Sequence, residues 1–199
     1  MLSGSDLTAL VARRRRLADQ AAGLLAAAVV FGGVAASGNF RVFTGLVAIV
    51  SLAGAAFMSY LYVAAGDGIR RGADELILHR YPYGQRDDRA SRLVAKRARS
   101  IDTPRYRRRL AAGLRRRVDA GERLAGIQMA SHTAVTLAGN RPLVDDIADR
   151  VEDGMGDTAT LVRIDRLLRA PNLTEDMTQD AEVDALETEL QRISAALVS

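Results

Sequence analysis

The sequence contains no cysteine, which excludes disulfide bonds, thiolate metal sites and cysteine nucleophiles. Histidine occurs only at His79 and His132, and no HExxH, GxSxG or phosphate-loop spacing is present. We therefore predict a protein that is not an enzyme, has no cofactor and no metal, and shows no small-molecule substrate. A site assembled only in three dimensions is the remaining route to an enzyme.

Charged side chains are absent from two long runs of the chain. Residues 20–40 form a run of 21 and residues 42–66 a run of 25 without Asp, Glu, Lys, Arg or His. Each run exceeds the roughly 20 residues that a helix needs to cross a hydrocarbon core. The sequence therefore predicts a transmembrane hairpin over 20–66, with spans at about 20–38 and 42–65.

The first run has a competing interpretation as a cleaved signal peptide. Residues 13–16 (RRRR) would be its charged region, and residues 34–36 would offer small side chains for cleavage. The run is longer than the usual apolar part of a signal peptide, and a stronger span follows it closely. These two points favour a helix that is retained.

Basic residues near the ends of the runs predict the orientation. Four arginines (13–16) precede the first run, and Arg70, Arg71 and Arg80 follow the second. The linker between the runs carries only Arg41. The positive-inside rule then predicts a multi-pass protein of the inner membrane, with both termini and a basic segment at 1–19 in the cytoplasm.

Small residues recur at four-residue spacing in both predicted spans, which would let helix backbones approach closely. This pattern fits packing between copies of the chain, packing within the hairpin, or a simple excess of alanine and glycine. Ionisable groups, which transport paths usually need at depth, are missing. The small residues are Ala28, Gly32 and Ala36 in the first span and Ser51, Ala55 and Ser59 in the second.

The remainder of the chain, 67–199, is polar and shows helical rather than strand periodicity. Asp87 or Asp88 can cap a first helix, and Thr103 with Pro104 can start another. The predicted fold class is therefore all-α: a two-helix transmembrane hairpin followed by a cytoplasmic α-helical bundle of five or six short helices. The 3–4 spacing of apolar residues at 183–197 allows a coiled coil, but we favour packing within the domain.

Seven of the thirteen residues at 105–117 are arginine. On a helix, Leu110, Leu114 and Val118 share an apolar arc with Tyr106 and Ala111. Two arginines, Arg107 and Arg117, fall inside that arc, where we expect their charged ends to reach outward. The remaining arginines lie opposite the arc: Arg105, Arg108, Arg109, Arg115 and Arg116.

Charge is divided unequally along the polar part of the chain. Residues 68–125 contain 17 basic and 7 acidic residues, a net charge of +10, whereas residues 126–199 contain 6 and 14, a net charge of −8. The acidic residues at 145–153 could resemble a metal cluster, but a solvated helix face has the same pattern.

The basic half has four candidate partners. We favour anionic lipid headgroups, because juxtamembrane basic residues gain about 1 kcal/mol each near the cytoplasmic leaflet. Folding of the acidic half onto the basic half, an acidic protein, and nucleic acid are the alternatives. The residues predicted to contact the anionic partner are Arg70, Arg71, Arg105, Arg108, Arg109, Arg115 and Arg116.

These features together predict a membrane-tethered binding or scaffold subunit, whose spans could form a homo-oligomer. An accessory subunit of a transporter or channel, made by oligomerised hairpins, is one alternative. A membrane-anchored regulator that binds nucleic acid through the helix 104–118 is the other.

Overall fold

A computed structural model describes residues 4–36, 41–79, 88–124, 132–169 and 179–198. Within these ranges the chain is helical apart from short turns and contains no strand, so the all-α prediction is confirmed there. The helices are α1 (Gly4–Ala36), α2 (Arg41–Leu78), α3 (Arg89–Ile101), α4 (Pro104–Leu124), α5 (His132–Gly139), α6 (Arg141–Glu152), α7 (Thr158–Arg169) and α8 (Gln179–Val198).

The first two helices are much longer than the others, with 33 residues in α1 and 38 in α2. Each has a segment long and apolar enough to cross a membrane. At about 1.5 Å per residue, they measure roughly 50 and 57 Å, well beyond a hydrocarbon core of about 30 Å. Helix α1 includes the arginines at 13–16 without a break, and α2 continues past Asp67 to Leu78.

Helices α1 and α2 pack side by side and run in opposite directions. Leu24 lies against Gly54, and Leu10 lies near Gly68, so residue numbers fall along one helix as they rise along the other. Only 11% of the apolar window in α1 and 17% of that in α2 is buried. A core helix of a soluble protein would be mostly buried, and these two are mostly exposed.

Contacts divide the chain into two compact units, Met1–Val94 and Ala95–Ser199. In the second unit α4 packs against α5, α6 and α7 through its apolar arc, whose members Leu110, Leu114 and Val118 are buried. Helix α8 packs against α5, α6 and α7. Its buried side chains agree with the prediction that it packs within its own domain: Leu186, Leu190, Ile193 and Leu197.

Side chains cap the helices α3, α4 and α7. Asp88 accepts a hydrogen bond from the amide of Ser91 at the start of α3, and Thr103 accepts one from Tyr106 at the start of α4. Both caps were predicted, Asp88 as one of two candidates. Asp157 likewise accepts a hydrogen bond from the amide of Thr160 at the start of α7, and this cap was not predicted. The sequence also predicts a helix break at residues 81–84 and a helix start at Thr174, and both positions lie outside the described residues.

Candidate functional site

The arginine-rich stretch lies on α4, as predicted, but its arginines have three different environments. The N-terminus of α4 is fixed by Thr103, whose hydroxyl accepts from the amide of Tyr106 at 3.3 Å, and by Pro104 as the first helical residue. Burial of the apolar arc then fixes the rotation of the helix about its axis. That rotation decides which arginines meet protein and which meet solvent.

Arg107 is buried, with 8% of its surface exposed. Its Nε and Nη2 donate to Oδ1 of Asp102 at 2.9 and 2.6 Å. Its Nη1 donates to the carbonyl of Met155, and its Nη2 also donates to that of Gly156 at 3.0 Å. The expectation that this charged end reaches outward was wrong, because the turn between α6 and α7 supplies two inward carbonyls.

Arg117 is partly buried and contacts the backbone of α7. Its Nη2 donates to the carbonyl of Leu168 at 2.9 Å. That carbonyl lies in the last turn of α7, where backbone acceptors have no partner within the helix. Arg117 therefore connects α4 to the C-terminus of α7.

Arg115 connects α4 to the acidic face of α6. Its Nη1 donates to Oε2 of Glu152 at 3.0 Å, and its Nη2 donates to Oδ1 of Asp149 at 2.6 Å. These hydrogen bonds raise the pKa of Arg115, the one with Glu152 having the larger effect and the one with Asp149 the smaller. Arg115 was predicted to contact an external anion. The structure pairs it within the chain, as the alternative of acidic segments folding onto basic ones predicts for this residue.

Four arginines of α4 remain exposed: Arg105, Arg108, Arg109 and Arg116. We call these four the arginine face. At about 100° per residue they fall within an arc of roughly 100°. The one hydrogen bond assigned to them joins Nε of Arg116 to the carbonyl of Ala112 at 3.1 Å. None of the four forms an ion pair with a side chain in the described ranges, so the arginine face carries uncompensated positive charge there.

The second unit also contains a buried ionic cluster, which was not predicted. Asp165 accepts from Nη2 of Arg97 at 2.6 Å and from the hydroxyl of Tyr106 at 2.9 Å. Arg169 donates both to Asp165 and to the hydroxyl of Tyr106. The side chains of Arg97 and Asp165 are 11% and 7% exposed. The cluster joins α3, α4 and α7.

Two sequence features could have indicated this cluster. Asp165 interrupts the apolar stripe of α7, where a carboxylate needs a partner. Tyr106 belongs to the apolar arc of α4, and a buried tyrosine hydroxyl usually finds a hydrogen-bond partner. Neither feature identifies Arg97 as the cation.

The other residues predicted to contact an anion lie at the end of α2. Arg71 is exposed. Arg70 is half-exposed, and its Nη2 contacts Oδ1 of Asp67 at 3.1 Å. They belong to the first compact unit and the arginine face to the second.

The predicted span-packing residues differ in burial. Ser51 and Ala55 are buried, at 8% and 2% exposure, in the α1–α2 pair. Ala28 and Gly32 are partly exposed, and a side chain built at Gly32 would meet nothing within 4 Å. The hydroxyl of Ser59 donates to the carbonyl of Ala55 at 2.8 Å. Both Ser59 and Ala36 are exposed.

No cluster of His, Asp or Glu that could hold a metal ion occurs among the residues the structure describes. In the acidic run of α6, Asp149 and Glu152 pair with Arg115, and Asp146 pairs with Arg150 at 2.8 Å. The acidic pattern is therefore accounted for in part by arginine partners.

The described arginine face supplies fixed positive charge that could bind an anion.

Comparison with protein-family models, curated proteins and solved structures finds no significant match to this chain.

Proposed function

We propose that the chain crosses the inner membrane twice, with both ends in the cytoplasm, and acts as a non-enzymatic tether whose arginine face contacts anionic lipid headgroups. The single observation that carries this proposal is the exposure of the apolar faces of α1 and α2. Side chains such as Val29, Ile49 and Phe57 are 74%, 68% and 58% exposed. Contiguous apolar surface on this scale would not remain in contact with water.

The arginine face supports the lipid part of the proposal. Its four arginines are exposed and form no ion pair with another described side chain. Their positive charges are therefore available to attract an external anion. Helix α4 begins 26 residues after Leu78, the end of α2. This short connection keeps the arginine face at high effective concentration near the membrane.

The absence of cysteine makes the topology directly testable. Single variants Asn39→Cys and Ser199→Cys would be exposed to a membrane-impermeant maleimide in intact spheroplasts. We expect labelling of the first, which lies between the spans, and protection of the second until the membrane is permeabilised. Labelling of Ser199→Cys in intact spheroplasts would contradict the proposed orientation.

The lipid contact is testable with a probe in the middle of the arginine face. Ala112→Cys is exposed there, and its maleimide labelling would be followed in nanodiscs of phosphatidylglycerol and of phosphatidylcholine. We expect slower labelling with phosphatidylglycerol, and loss of the difference when the four arginines become glutamine. Val198→Cys, in the acidic half, is the matched control and should label equally in both.

Equal labelling of Ala112→Cys in the two lipids would contradict the contact with lipid. Protection of the same cysteine by added nucleic acid, falling steeply with salt, would favour the regulator instead.

A further inference from the structure

Three residues of α2 occur at four-residue spacing: Tyr62, Gly66 and Arg70. On a helix, each step of four residues turns by about 40° and rises by about 6 Å. The three therefore share one face of α2. This face looks onto α1, because Arg14 of α1 lies against it.

The guanidinium group of Arg14 stacks on this face. Its Cζ lies 4.2 Å from the centre of the Tyr62 ring, a cation–π contact. A Cβ built at Gly66 would lie 3.2 Å from Cζ and from Nη2 of Arg14. The missing side chain at Gly66 thus lets the guanidinium lie close against the backbone of α2.

The charged end of Arg70 is held near the same level. Side chains of a helix tilt toward its N-terminus, and Nη2 of Arg70 contacts Oδ1 of Asp67, one turn back, at 3.1 Å. Asp67 directly follows Gly66, the residue under Arg14. Arg14 and Arg70, which belong to different helices, therefore both approach α2 around residues 66–67, and Asp67 pairs with Arg70.

Both arginines retain unused hydrogen-bonding capacity. The Nε atoms of Arg14 and Arg70 are each buried and have no hydrogen-bond partner among the described residues. A buried donor without a partner is destabilising. The planar fork of arginine suits the oxygens of a phosphate, and two forks at one level can bind the same group.

We propose that Arg14 and Arg70 form a specific site for the phosphate group of an anionic lipid. Gly66 is the last residue of the uncharged run 42–66, so in the proposed topology the pair lies at headgroup depth. The acyl chains of the lipid would cover exposed apolar side chains that precede Gly66 on α2, such as Val63. This inference rests on the proposed crossing of the membrane by α1 and α2, and it is separate from the arginine face of α4.

The test is lipid binding to the full chain in neutral detergent, measured by native mass spectrometry with phosphatidylglycerol as the probe. We expect Arg14→Gln and Arg70→Gln each to lower its affinity about tenfold, the effect of losing a charge-assisted hydrogen bond. Arg14→Lys should lose nearly as much, because lysine keeps the charge but lacks the fork. The double variant should lose less than the product of the single effects, since both arginines bind one phosphate.

Arg15→Gln is the matched control, because Arg15 is exposed on α1 and its loss changes the net charge equally. We expect this substitution to change the affinity for phosphatidylglycerol by less than about twofold, because an exposed charge outside the site contributes little. An equal loss in Arg15→Gln, an unchanged affinity in Arg14→Gln, or displacement of the lipid by millimolar inorganic phosphate would overturn the inference. Far-UV circular dichroism checks that each variant remains helical.

Labelling of Asn39→Cys measures the membrane crossing independently of lipid binding. A chain that inserts as proposed but binds phosphatidylglycerol independently of Arg14 would contradict this inference alone.

Discussion

Arg107 and Arg108 are neighbours on α4 with identical side chains and opposite surroundings. Arg107 is buried against two backbone carbonyls and Asp102, whereas Arg108 is exposed. The stability of the second unit should therefore depend on the first and be insensitive to the second.

We expect Arg107→Met to lower the free energy of unfolding by about 2–3 kcal/mol, since it removes charge-assisted hydrogen bonds from a buried position. Arg108→Met should change it by no more than about 0.5 kcal/mol. Urea unfolding followed by far-UV circular dichroism measures both. Equal effects of the two substitutions would contradict the buried position of Arg107.

Asp165 compensates two cations at a buried position. Asp165→Asn should lower the free energy of unfolding by about 3–5 kcal/mol, because Arg97 and Arg169 would both lose the ion pair with this buried carboxylate. Tyr106→Phe removes one neutral hydroxyl and should lower it by about 1 kcal/mol. The same urea titration compares them, and a smaller effect for Asp165→Asn than for Tyr106→Phe would contradict the cluster.

The ion pairs of Arg115 with Asp149 and Glu152 should contribute little to the stability of the fold, and that contribution should depend on salt. Its side chain is 40% exposed, so after solvent screening Arg115→Gln should lower the free energy of unfolding by less than about 1 kcal/mol, and by almost nothing at about 1 M salt. Because its pKa is raised on folding, the contribution is present below its ordinary pKa and is lost only as the pH rises above it. We expect no loss from Arg115 between about pH 7 and 10.

At the scale of the element, the close approach of α4 to α5 depends on one glycine. A Cβ built at Gly121 would lie 1.9 Å from the carbonyl oxygen of Ala134, which is backbone and cannot rotate away. Gly139, also helical, has nothing within 4 Å of its Cβ position. The two glycines therefore serve as test and control.

We expect Gly121→Ala to lower the free energy of unfolding by about 2–3 kcal/mol, because the two helices must separate. Gly139→Ala should leave it unchanged or raise it by up to about 1 kcal/mol, since alanine favours a helix. Thermal unfolding of both variants in the same detergent makes the comparison. A tolerated Gly121→Ala would contradict the packing of α4 on α5.

The sequence predicted elements better than it predicted contacts between them. Thr103 and Pro104 were sufficient to place the start of α4, because capping involves residues three positions apart. The inward direction of Arg107 depends on carbonyls about fifty positions later in the chain. No local pattern contains that information. The stacking of Arg14 on Tyr62 is likewise a product of the register between α1 and α2.

At the scale of the whole molecule, exposure of apolar side chains in α1 and α2 has a direct consequence for membrane insertion. Leu52, near the middle of the second apolar run, is 58% exposed. We expect Leu52→Arg to disfavour insertion by about 2.5–3.5 kcal/mol, the value for arginine at the centre of a span. Leu52→Ala at the same position should insert as the parent does.

The fraction of chain that resists carbonate extraction from membranes measures this effect. An arginine tolerated at position 52 would contradict the placement of that face in lipid.

The unbroken course of α2 has a mechanical consequence. The helix extends twelve residues beyond Gly66, to Leu78, a projection of about 18 Å at 1.5 Å per residue. Where the helix crosses a bilayer, a change in hydrocarbon thickness alters its tilt. A stiff rod pivoting by about 20° carries its tip sideways by roughly 6 Å. In the proposed topology, a change in the thickness of the surrounding bilayer would thus move the end of α2 at Leu78 sideways.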